Sequence, residues 1–96
     1  MTAPDEVGVE LERVVRRWQQ LPLDHALAAS GDLRALVQEL ADEVAVEEGR
    51  EPVGVPDLGP AVLPDQLQVM VFDYRQAGLD EARLAERLTA LRRSLP

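Results

Sequence analysis

Ninety-six residues, 46% of them hydrophobic and 3% aromatic, make one domain near the size at which a single core becomes marginal. Cysteine is absent, which removes disulfides, thiolate metal sites and cysteine nucleophiles together. A formal charge of −8 argues against nucleic acid as a direct ligand, and no apolar run approaches the roughly 20 residues of a membrane span.

All ten basic residues are arginine, and Lys, Asn and Ile do not occur. With abundant Ala, Val, Leu, Gly and Pro, this bias points to a GC-rich bacterial genome, so the lysine-free surface carries no functional weight. The opening MTAPDEVGVELE is acidic where a signal peptide would be basic and then apolar, and the expectation is a cytoplasmic protein. Between Asp32 and Glu51, seven acids meet only Arg34 and Arg50, which gives that segment −5 of the −8.

The first helix is predicted over about 5–20. Val7, Leu11, Val14, Val15 and Trp18 follow the spacing of one buried stripe. Thr2 is the expected N-cap, with Asp5 three positions later, and Pro22 ends the helix near Leu21. A short helical turn is expected over 22–29, broken at Ser30–Gly31. The second long helix then runs over 32–48 with Leu33, Leu36, Val37, Leu40, Ala41 and Val44 as its stripe and Gly49 as its left-handed stop.

Residues 50–63 form a proline-rich strap, with Pro52, Pro56, Pro60 and Pro64 at every fourth position. Such density excludes a regular helix or central strand, and the intervening Val53, Val55, Leu58 and Val62 are too apolar for a solvated linker. An ordered strap on an apolar surface is predicted. The third helix spans 64–77. Leu67, Val69 and Val71 alternate as in a strand, but Leu67, Met70, Val71, Tyr74 and Ala77 on one helical face explain more. Val69 and Phe72 then project from the other side, where the strap could cover them. The fourth helix, 80–94, carries a seam of Leu84, Leu88, Leu91 and Leu95. The fold class expected is all-α, a four-helix up-and-down bundle with an ordered Pro-rich crossing between two helical hairpins.

Catalytic and cofactor chemistry is poorly provided for. The one histidine, His25, stands beside Asp24 without a nucleophile, no Glu-x-x-His repeat or EF-hand spacing occurs, and Gly54 and Gly59 lack a following Gly-Lys-Ser/Thr. No enzyme activity, metal or cofactor is expected. Two surfaces remain as candidate partner-binding sites: the apolar pair Val69 and Phe72, and two ridges of opposite charge opposite their stripes. Arg13, Arg16 and Arg17 form the basic ridge on the first helix; Glu39, Asp42 and Glu43 form the acidic one on the second. Ridges facing away from one core pair with difficulty inside one molecule, so pairing with another copy or a charged partner is the sharper expectation. The function expected is a non-enzymatic protein–protein interaction module, homo-oligomeric or an accessory subunit. The alternative is an acidic inhibitor or immunity-type protein bound to a basic site on a toxin or nucleic-acid enzyme.

Overall fold

Four helices account for most of the chain in a computed structural model that describes residues 5–96: α1 (Glu6–Gln20), α2 (Leu23–Glu47), α3 (Leu63–Gln76) and α4 (Glu81–Ser94). No strand occurs among the described residues, and the helices form a four-helix bundle with an ordered crossing between α2 and α3. Thr2, the expected cap of α1, lies outside the described residues. The cap is Asp5, whose carboxylate accepts from the Gly8 amide at 2.9 Å.

The expected break at Ser30–Gly31 does not occur. α2 is one 25-residue helix that absorbs the predicted 22–29 turn. The Ser30 hydroxyl donates to the Ala26 carbonyl at 2.7 Å, one turn back, so it supports the helix instead of capping a new one. Gly31 costs about 1 kcal/mol inside a helix. Buried Ala26, Leu33, Leu36, Val37, Leu40 and Val44 outweigh it, since each large aliphatic contributes about 1.5–3 kcal/mol.

α2 and α3 end in the same way. Gly49 adopts φ 72° while its amide donates to Val46 O and that of Arg50 to Ala45 O. Gly78 adopts φ 73° with Gly78 N donating to Arg75 O and Leu79 N to Tyr74 O. Both pairs satisfy carbonyls of a last turn that would otherwise be orphaned. At the second stop Leu79 also packs against the core.

Within each hairpin the chain reverses direction, but across the strap it does not. Glu10 meets Arg92 and Arg75 joins Asp5 to Glu81, so α1 and α4 run parallel. Pro64 and Asp65 lie beside Leu23 and Ala26, while Leu79 lies beside Asp42 and Glu43, so α2 and α3 run parallel too. These are the two closest helix pairs. The core between them holds Val7, Val14 and Trp18 of α1, Ala26, Leu33, Leu36, Val37, Leu40 and Val44 of α2, Leu63, Leu67, Val71 and Tyr74 of α3, and Leu84, Ala85, Leu88 and Leu91 of α4. Ala41 of the predicted α2 stripe is half-buried outside it. Predicted stripe members Leu11, Met70, Ala77 and Leu95 are half-buried against it.

The strap is ordered, but polar contacts hold it more than apolar ones. The Gln38 amide donates to Val53 O (3.1 Å) and accepts from Val55 N (2.7 Å), as a neighbouring strand would. Arg34 pairs with Asp57 at 2.9 Å, Gln66 donates to Pro56 O, and the Trp18 indole donates to Pro60 O at 3.0 Å. Between Pro52 and Pro60 only Val55 packs on the core, whereas Val53 and Leu58 are exposed; Leu63, buried at the end of the crossing, already belongs to α3. Extended, proline-stiffened chain has no partner for its own backbone groups, so side-chain amides supply them.

Two variants check this account by urea unfolding. Gly31→Ala, with open space around the new methyl group, is expected to stabilise the protein by about 0.5–1 kcal/mol, as only a residue inside a continuous helix would. Gln38→Ala is expected to cost about 1–3 kcal/mol, because it strands the Val55 amide.

Candidate functional site

Val69 and Phe72 are 52% and 62% exposed, so the strap leaves them uncovered. Its anchors explain why: Trp18, Arg34, Gln38 and Gln66 draw it along α2 and onto the first turn of α3, away from the middle of α3. Phe72 stands one turn beyond Gln68, which borders a shallow groove floored by Gly8, Leu11 and Val15 of α1. Leu11 and Val15 are half-buried, so apolar surface continues from Phe72 towards α1. Beyond that, Arg75 bridges the Asp5 carboxylate and Glu81 at 3.2 and 2.6 Å, locking the α3 end against the starts of α1 and α4.

The charged ridges are placed differently from the sequence expectation. The acidic ridge pairs inside the molecule: Glu39 and Glu43 hold Arg87 at 3.0 and 2.8 Å, and Glu43 also meets Arg83 at 3.5 Å. Asp42 accepts from the Gln38 amide at 2.7 Å. The pairing cations come from α4, not from the basic ridge. Which helix flanks α2 depends on the bundle order, and the stripe positions do not encode it. Arg87 is only 16% exposed. Its two carboxylate partners raise its pKa against the opposing effect of burial, the largest influence on the group.

The basic ridge pairs along its own helix or with the chain end. Arg13 lies 3.3 Å from Glu10, Arg16 bonds Glu12, and Arg17 donates to the Pro96 carbonyl. Arg16 and Glu12 are both well exposed, and such pairs contribute about 0–1 kcal/mol. Glu10 differs, with its side chain 13% exposed and 2.7 Å from Arg92. The Arg92 hydrogen bond holds its carboxyl below the ordinary value of 4.5. Tyr74, buried beneath Glu43, has its hydroxyl pKa raised chiefly by burial and donates to Asp80 O at 3.3 Å.

His25 is exposed in the first turn of α2. Among the described residues no three His, Asp or Glu side chains converge in a group that could hold a metal ion. Beside the strap an open apolar notch of about 450 Å³ lies between Trp18, Leu21, Pro60 and Pro64, flanked by exposed Leu23. The sequence did not single out this notch, although Leu21 and Leu23 on either side of Pro22 were its visible signal.

Comparison with protein-family models, curated proteins and solved structures finds no match.

The Glu10–Arg92 pair predicts a pH response. A carboxyl whose folded pKa lies below its unfolded value stabilises the protein above that value, and the contribution is lost as pH falls through the lowered one. Urea midpoints are therefore expected to drop on acidification below about pH 4.5, and Glu10→Gln to flatten that drop.

Proposed function

We propose that this protein is a non-enzymatic protein–protein interaction module, a homo-oligomer or an accessory subunit, whose partner-binding surface is the α3 ridge of Val69 and Phe72. One observation carries the reading: two large apolar side chains a turn apart on a well-formed helix, 52% and 62% exposed, with neither core nor strap covering them. A rigid aromatic on a helix needs little ordering to bind, and Phe is among the residues enriched in interface cores. The half-buried Leu11 and Val15 extend that surface across the groove to α1. Nothing in the proposal requires a metal, a cofactor or a catalytic residue.

The acidic-inhibitor reading keeps one supporting observation. Val46, 67% exposed, lies beside Asp42, Glu43 and Glu47, an apolar contact ringed by carboxylates. Against it, Glu39 and Glu43 are already neutralised by Arg83 and Arg87, so a basic partner would have to displace them.

The two readings separate in one capture experiment from native extract. Phe72→Ser with Val69→Ser should leave stability within about 0.5 kcal/mol of wild type, because both sites are solvated, and should abolish capture. Val46→Ser with Glu47→Lys, on the acidic face at positions that hold no arginine, should leave capture intact. The opposite pattern would transfer the function to the acidic face.

A further inference from the structure

The groove between α1 and α4 is charged at both ends and open at its centre, with a volume of about 620 Å³. The two helices run parallel, so residues at one level can be compared directly. Glu6 and Glu86 border one half, and Arg13 and Arg93 border the other. Among the described residues, Glu6, Glu86 and Arg93 take part in no ion pair, while Arg13 has a single contact with Glu10 at 3.3 Å. Two neighbouring arginines and two neighbouring glutamates, each set left largely uncompensated, make this face electrostatically incomplete in one chain.

The spacing supplies the missing complement. Arg13 follows Glu6 by seven residues, and Arg93 follows Glu86 by seven, each about 10 Å along its helix. The midpoints fall at Val9–Glu10 and at Thr89–Ala90. Those positions lie near one level, because Glu10 sits beside Thr89 and Arg92 reaches back to it across the α1–α4 seam. A two-fold axis through both midpoints lays α1 on the α1 of a second copy, antiparallel, and α4 on the second α4. Glu6 then faces the second Arg13 and Glu86 the second Arg93, and each pair occurs twice. At the axis, Val9, 44% exposed, meets its own counterpart, and exposed Ala90 lets the helices approach closely.

We infer that the α1–α4 face is a self-complementary homodimer interface whose occupant is a second copy of this chain. The inference uses a face other than the Val69–Phe72 ridge and stands whether or not that ridge binds a partner.

The chain has no cysteine, so a single introduced thiol reports directly on the axis. Ala90→Cys is expected to give a disulfide-linked dimer under mild oxidation, and Ala35→Cys, exposed on α2, to give none. Light scattering after size exclusion at about 100 μM should give at least twice the monomer mass for wild type and twice that mass for the Val69→Ser, Phe72→Ser double variant. Arg93→Glu should weaken dimerisation at least about tenfold, and adding Glu86→Arg should restore it to within about threefold. A monomeric wild type overturns the inference. So does a dimer lost with Val69 and Phe72, or one that Arg93→Glu leaves unchanged.

Discussion

The architecture depends on the reach of the segment between Gly49 and Val62. α2 ends at one end of the bundle, and α3 begins level with Ala26, near where α2 began. The return covers about 30 Å at the helical rise. Fourteen residues of extended polyproline chain span about 40 Å, whereas the same fourteen coiled into helix would span only about 20 Å. Proline at every fourth position therefore does more than forbid a helix. It holds the chain long enough for α3 to lie parallel to α2, and the direction of α3 then sets α4 alongside α1.

Parallel neighbours bring like helix ends together, and the charges answer that. Asp5, Glu6, Asp80 and Glu81 cluster where α1 and α4 start, and Arg17, Arg92 and Arg93 lie where they finish. Asp24 and Asp65 stand at the paired starts of α2 and α3. Each placement opposes the dipole it meets, an effect of about 0.3–1 kcal/mol per charge. The last turn of α2, with Glu47 and Glu48, runs against the rule, and Arg50 draws the Glu48 carboxylate aside at 2.6 Å. Arg75 then ties α1, α3 and α4 together at one end, as Trp18 ties α1 to the strap at the other.

Much of this was legible in the residues. Apolar spacing located the four helices to within a residue or two outside α2, and glycines marked both left-handed stops. The position of Val69 and Phe72 opposite Leu67, Val71 and Tyr74 was legible too, but that the strap leaves them uncovered was not. What escaped was contextual. Ser30–Gly31 has the composition of a break, and only the buried stripe on either side makes it helix. Gln38 and Gln66 carry no periodic signal, yet their amides hold the strap. The pairing of Glu39 and Glu43 with Arg83 and Arg87 needed the order of helices around the bundle, which four amphipathic stripes alone leave open.

Trp18 is the one tryptophan in the chain, buried at 5% exposure with its indole nitrogen bonded to a strap carbonyl. A single indole whose environment is completed by the strap turns a structural contact into an optical one. Loosening of that crossing alone would wet the ring and shift its emission to the red while helicity stayed nearly constant. The protein thus carries its own reporter for the one segment on which its topology rests.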